Sequence, residues 1–229
     1  EGTLLQLQTL PLDEAVFPPY SAELLDAEMA LFPQWFVGKL LEVALSEDEK
    51  ELLKNTFSKL TLSACEQPQV IVHRDYHSRN LLLTPDNALG VIDFQDAVVG
   101  PITYDLVSLL RDCYVRWPEE TVKDRALSFA GRAGILEQCD AEQFLRWFDW
   151  MGLQRHIKVL GIFARLWLRD GKVGYLKDLP LVIRYTLEQA SPYEELADFV
   201  EWFEARLVPL LSQQQWYTPW QTAGTQTDT

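Results

Sequence analysis

Along most of the chain, apolar residues recur every three or four positions, which predicts helices; in one central window they come in short unbroken runs instead. A helix is predicted after Ser21, where L-L-D-A-E-M-A-L-F keeps helical spacing until Pro33 interrupts it. The next begins at a capping box, Ser46 with Glu49 three residues on, and carries Leu52, Leu53, Phe57 and Leu60 on one face. Asp140 and Gln143 form a second capping box, opening a long helix to about Arg169. Ser191, Pro192 and Glu194 supply an N-cap, an N1 proline and an N3 carboxylate for a last helix to about Leu211. Residues 1–20 alternate only weakly, and Pro11, Pro18 and Pro19 stop regular structure there.

Between 69 and 94 the runs V-I-V-H, L-L-L-T and G-V-I-D-F read as short strands, the last two joined by the turn-forming P-D-N-A-L-G. Helices resume after Pro101, with a restart at Pro118. The expected fold class is therefore mostly α with a small β-hairpin patch, α+β. Residues 1–211 are expected to form one large lobe, and 212–229, rich in Gln and Thr, a polar flexible tail.

Composition narrows the function classes. The 229 residues include 34 acidic and 20 basic ones, a formal charge of −14, which argues against a nucleic-acid partner because phosphate binding needs a basic footprint. No apolar stretch approaches the ~20 residues of a membrane span, so no membrane association is expected. No leader is visible, and three scattered cysteines, Cys65, Cys113 and Cys139, suggest neither disulfides nor a zinc site; a cytoplasmic protein is the expectation.

The unusual residues sit in the β window. Residues 73–80 read H-R-D-Y-H-S-R-N, matching the H-R-D-x-x-x-x-N pattern of a phosphoryl-transfer loop, and 92–96 read I-D-F-Q-D. Such chemistry needs a carboxylate beside the attacking hydroxyl and oxygen ligands for the magnesium that neutralises phosphate charge. Asp75 follows one strand, Asn80 begins the next, and Asp93 ends the hairpin that returns to the same edge. Each alone is an ordinary turn residue; the set at this spacing is far more specific.

These strings, with G-P-I-T-Y-D-L after them, resemble the aminoglycoside phosphotransferase/choline kinase family, which has the protein-kinase-like fold. The stretch from Val72 to Tyr114, together with W-M-G-L-Q-R-H-I-K-V-L-G-I-F-A-R-L at 150–166, looks like the subfamily of N-acetylmuramate/N-acetylglucosamine anomeric kinases, which phosphorylate the C1 hydroxyl of the amino sugar in cell-wall recycling. The resemblance implies ATP and Mg2+ as cofactors and a small-molecule sugar as partner. It makes Asp75 the catalytic base and Asn80 and Asp93 the metal ligands. It places Leu82 and Ile92 under the adenine, and gives His73 and Asp105 structural support of the loop. Asp96 is a second acidic group near the metal or a substrate contact. Two departures stand out: Arg74 where the family more often has Gly, and D-F-Q rather than D-F-G. No G-x-G-x-x-G occurs, and the residues before His73 read as helices. The resemblance thus covers the C-terminal lobe only, without the ATP-gripping N-terminal lobe, and implies an inactive chain by itself.

On the long helix, Phe144, Phe148, Met151, Val159, Ile162 and Leu166 share a face with Arg155. A cation there needs an internal carboxylate or an anion, so Arg155 meets a salt-bridge partner, or it or His156 reaches a substrate carboxylate. Trp35, Trp150 or Trp167 can line a sugar pocket, although Trp147, Trp150, Trp167 and Trp202 lie on helices, where core packing is the simpler role. His77 and Arg79 are candidates for phosphate or acceptor contacts. An aminoglycoside or choline-type acceptor keeps the same fold, as does an inactive binding lobe; the basic residues of 155–165 lean away from a polycation.

Overall fold

A computed structural model describes residues 1–13, 15–86 and 88–225, and the chain divides into two units. The first comprises Glu1–Ala22 and Leu62–Gly152, the second Glu23–Thr61 and the chain from Leu153 onward.

The first unit is built on a β ladder. Strand β1 (Gln69–Val72) pairs antiparallel with a strand later in the chain, β4 (Val98–Pro101), with Val72 opposite Val98. Between them β2 (Leu81–Leu83) and β3 (Leu89–Val91) make the expected hairpin, with Leu82 opposite Gly90. The first two strands predicted, and the third, are thus present, but the partner of β1 is a run, V-V-G-P, that carries too few residues to stand out from its flanks. The leading segment joins this ladder: Tyr20 N–H donates to the Val99 carbonyl (2.7 Å) and Val99 N–H to that of Pro18 (2.9 Å). Gly100 permits the approach, since a Cβ there would meet Tyr20 side-chain carbons at 3.1 Å.

Contrary to the expected irregular start, α1 (Gly2–Gln8) is a helix. Its Leu4 is wholly buried, and Gln8 Nε2 donates to the Ile102 carbonyl at 3.0 Å, so tertiary contacts fix a turn pattern that is too short to signal itself. After β4 come α4 (Tyr104–Leu110) and α5 (Glu119–Arg132), the latter starting behind Pro118 as expected. Buried Arg111 ties these together: it forms 2.6 Å ion pairs with Glu119 and with Asp149. Asp149 lies on α6 (Ala141–Asp170), whose Asp140 cap accepts from Gln143 N–H at 2.8 Å.

The second unit contains most of α2 (Ala22–Met29), a π-helical turn set Phe32–Leu40, and α3 (Glu47–Glu66) up to Thr61. Pro33 stands in the first turn of Phe32–Leu40, where its missing N–H costs nothing. The Ser46–Glu49 capping box is reciprocal: Glu49 N–H donates to Ser46 Oγ (3.2 Å) and Ser46 N–H to Glu49 Oε2 (2.8 Å). Glu49 Oε1 also accepts from Trp202 Nε1 (3.0 Å) and Arg206 Nε (3.1 Å). The Ser46 N–H, assisted by these two donors, holds its carboxyl below the usual carboxylate range despite burial. Phe32, Phe36, Trp202 and Phe203 pack with ring centroids about 6 Å apart.

The C-terminal helices differ from expectation. A helix missed in the sequence, α7 (Leu179–Ala190), precedes them, and Ser191 Oγ donates to the Leu187 carbonyl at 2.7 Å, closing α7 rather than opening the next helix. The last segment begins instead behind Tyr193 and is broken into Glu194–Leu196, α8 (Ala197–Trp202), a π turn at Phe203–Leu207, and α9 (Val208–Leu211). Of the polar tail, 226–229 lie outside the described residues; before them Arg184 Nη1 donates to the Ala223 carbonyl at 2.9 Å.

Within this unit α6 lies directly against Leu31. A Cβ added at Gly161 would sit 2.4 Å from the Leu31 carbonyl carbon and 2.6 Å from its Cβ and oxygen. In an exposed helix, Ala for Gly gains roughly 1 kcal/mol, but overpacking against backbone costs roughly 1–3 kcal/mol. Gly161→Ala is therefore expected to lower the urea midpoint with an unchanged slope; an equal or higher midpoint refutes the contact.

Candidate active site

The loop between β1 and β2 is set by carboxylates underneath it. Asp105, in the first turn of α4 and wholly buried, accepts from His73 N–H at Oδ2 (2.6 Å) and from Arg74 N–H at Oδ1 (3.0 Å). A second buried carboxylate, Asp112, just beyond α4, accepts from Ser78 N–H (2.9 Å) and Tyr114 N–H (3.0 Å). Sequence reading missed Asp112; its only signal was an acid in an apolar stretch, R-D-C-Y-V, where burial demands partners.

Two site residues have left-handed backbone, Arg74 at φ +73° and Asp93 at φ +71°. Aspartate tolerates this conformation, whereas a long unbranched side chain pays ~1–2 kcal/mol for it. Position 74, where the resemblance leads one to expect glycine, thus has a backbone that suits glycine. Arg74 is held there by its N–H on Asp105, and its guanidinium lies 5.3 Å from the Tyr20 ring centroid.

Asp75, partly exposed, Asn80 and Asp93 are drawn to one region by main-chain and side-chain bonds. Asn80 Nδ2 donates to the Asp75 carbonyl (3.0 Å), which fixes the amide and leaves Oδ1 as the available oxygen. Ile92 N–H donates to the Asn80 carbonyl (3.1 Å), tying the end of β3 to the loop, and Asp93 follows it, exposed. Gln95 Nε2 donates to Asp93 Oδ1 at 3.1 Å, so the D-F-Q glutamine supports the carboxylate it follows. Asp96 is exposed, with its carbonyl 3.4 Å from Arg74 Nη1.

His73 lies beneath, its Nδ1 accepting from Asp75 N–H (3.3 Å) and its ring edge-on to Tyr76. Burial lowers its pKa, and the charges of Asp75 and Asp93 oppose this only in part. Both carboxylates are thus near enough to act on one imidazole. Tyr76 is fully buried, and burial with the Asp105 charge pushes its phenol up to about 12. His77 and Arg79 both meet Tyr114, Arg79 stacking 3.4 Å from its ring centroid.

The hairpin beside these residues is apolar and uncovered in the chain: Leu82 is 49% exposed, Leu83 80%, Ile92 45% and Phe94 66%. Leu82 and Ile92 are thus accessible. Arg155 and His156 lie in the second unit and are buried. His156 is stacked on Tyr185 at 4.9 Å and its Nδ1 bonds Gln189 Oε1 at 2.9 Å, an enclosed position. Trp147, Trp150 and Trp202 are buried in helices, whereas Trp167 is half-buried.

The pattern that describes the phosphotransferase enzyme family matches residues 2–151, from α1 through the loop, the hairpin and α4 to the middle of α6. The chain belongs to that family. N-acetylmuramate/N-acetylglucosamine kinase of Neisseria meningitidis serogroup B is 45% identical over 199 residues, 86% of this chain and 59% of the relative. Its namesake in Pseudomonas putida is 44% identical over 201 residues, again 86% and 59%. The chain therefore spans about three-fifths of the length of the curated relatives it matches. Among solved structures, Plasmodium vivax ethanolamine kinase is similar at a TM-score of 0.56 with 13% identity, over 80% of this chain and 57% of that one. The fold is that of the protein-kinase-like phosphotransferases, mostly helical with small antiparallel sheets, as the sequence predicts. No helix among the described residues is long and apolar enough to cross a membrane.

Two outcomes follow from this geometry. Arg74→Gly is expected to exceed Arg74→Val in unfolding free energy by about 1–2 kcal/mol, because only the glycine is at ease at positive φ; the reverse order refutes the strain. His73 has a folded pKa below its unfolded value near ~6.5. The unfolded state then binds more protons in that window, so the contribution of His73 is present above the unfolded pKa and is lost as pH falls through the folded one. The stability difference between the protein and His73→Gln should shrink from pH 7.5 to pH 5; a constant difference contradicts a neutral buried imidazole.

Proposed function

We propose that the protein transfers the γ-phosphoryl group of ATP to the anomeric C1 hydroxyl of N-acetylmuramate or N-acetylglucosamine. The observation that carries this reading is the loop of Asp75 and Asn80 bound to the Asp93 segment, in a chain 44–45% identical to relatives of that name. In it, Asp75 orients the acceptor hydroxyl and takes its proton as oxygen attacks phosphorus. Its main-chain atoms are fixed on both sides, N–H to His73 and carbonyl to Asn80, so the carboxylate is aimed by the backbone and needs little reorganisation.

The donors suit Mg2+: a carboxylate at Asp93 and an amide oxygen at Asn80 are hard oxygen ligands, and magnesium takes few of these from protein. When bound, the ion supplies neutralisation of phosphate charge. Gln95 holds one Asp93 oxygen and leaves the other for the metal. Leu82 and Ile92 offer apolar surface to a purine, as does Phe94 beside them. Asp96 then faces the metal or the acceptor, Arg155 is the candidate partner of a sugar carboxylate, and His156 is its buried neighbour. On this reading the partners are a free sugar and ATP, and the reaction is a cytoplasmic one.

The test is phosphorylation of each sugar by the natural protein with Mg-ATP, with kanamycin and choline as competing acceptors. Asp75→Asn is expected to lower kcat by about 10²–10⁴-fold while leaving the melting temperature within ~2 °C. Turnover of kanamycin or choline in preference to the sugars, or an unchanged kcat in Asp75→Asn, would overturn the proposal.

A further inference from the structure

The second unit contains a cavity of about 630 Å³ whose lining does not resemble an ordinary crevice. Two indoles, Trp167 from α6 and Trp216 from beyond α9, contribute aromatic surface. Three consecutive carboxamides, Gln213, Gln214 and Gln215, provide donors and acceptors, and Lys177 is the one charged residue among the described lining. In a chain of net charge −14, no carboxylate stands among the described lining.

Several of these groups are uncommitted within the protein. Among the described residues Lys177 forms no ion pair, Trp167 stacks on no other ring, and Trp216 Nε1 is buried without an acceptor. Gln213 spends its amide on a long 3.5 Å bond to the Pro209 carbonyl, while Gln214 and Gln215 engage only through main chain or not at all. The volume is in the range of small-molecule sites, roughly 300–1,000 Å³. Indole faces take the C–H faces of sugars, carboxamides pair with hydroxyls in both directions, and a lone ammonium donates to one carboxylate. Among the described lining, the absence of acid disfavours a polycation, and the presence of only one cation disfavours a nucleotide.

We infer that this pocket is a saccharide-binding site for a neutral or singly anionic sugar, with Trp216 and Trp167 as its platform and Lys177 as the reader of a carboxylate. The inference stands on the pocket's own lining; the choice of probe sugars rests on the function proposed above. The experiment is calorimetric titration of the intact protein with N-acetylglucosamine, N-acetylmuramate and, as a cationic control, glucosamine. Both N-acetyl sugars are expected to bind better than glucosamine. Trp216→Ala should weaken both by about tenfold. Lys177→Gln, at an exposed residue that carries no fold contact, should weaken only N-acetylmuramate, by about threefold to tenfold. Melting temperatures recorded alongside separate lost binding from lost folding, and Lys177→Gln decides the matter if Trp216→Ala folds poorly. Affinities for both sugars unchanged in Lys177→Gln and in folded Trp216→Ala overturn the pocket. That result together with intact phosphoryl transfer leaves the catalytic reading standing. Conversely, variant-sensitive sugar binding without any transfer retains the pocket and removes the catalysis.

Discussion

The carboxylate of Asp105 has no exposure to water, so its charge must be met inside the protein, and the loop backbone meets it. Hydrogen bonds to a charged acceptor contribute about 1.5–3 kcal/mol each, and their loss would leave a buried charge short of partners. This is a two-way constraint. The carboxylate needs the N–H groups of His73 and Arg74, and Arg74 presents its N–H from a left-handed backbone. The turn that sends Asp75 outward is therefore imposed from below by α4. Asp112 repeats the device at the other end of the loop, so Ser78 and, after it, Asn80 are held from the same side.

Electrostatics around the loop are arranged by burial more than by ion pairing. His73 is kept neutral under two carboxylates, and Tyr76 is kept protonated beside Asp105. Neither side chain brings a compensating positive charge close to Asp75 or Asp93. Among the described residues neither carboxylate is ion-paired with a side chain of the protein. A salt bridge at either would have fixed the geometry at the expense of affinity for a cation. Ion pairs of this unit lie elsewhere: at Arg111, where they join helices, and between Glu1 and the arginines Arg125 and Arg132.

What could be read in advance followed the range of the interactions. The Ser46–Glu49 capping box, the Asp140 half of the second one and the hairpin strands are local, written in residues three to ten apart, and the structure forms them. The loop motif was legible because its spacing is itself local. The pairing of β1 with β4, the helix α1 and the support from Asp112 depend on residues about 30 positions or more apart, for which periodicity carries no signal. Ser191 shows the limit within short range: a hydroxyl between two helices can cap either, and its bond to the Leu187 carbonyl was decided by packing of α7. Arg74 shows the converse. Its residue type departs from the glycine that the resemblance implies, yet its backbone has the left-handed conformation that favours glycine.

Strands β1 and β4 are bonded at Val72 and Val98, and every loop and hairpin residue considered for the chemistry, from His73 to Asp96, lies on the stretch of chain between those two anchor points. That stretch leaves the ladder and returns to the same rung. It is therefore a detachable cassette: changes in its length or sequence alter reach and reactivity while the scaffold sees two fixed ends a few ångströms apart. A lineage can retune such an excursion without renegotiating the helices, provided the two acids beneath it, Asp105 and Asp112, stay where they can receive it.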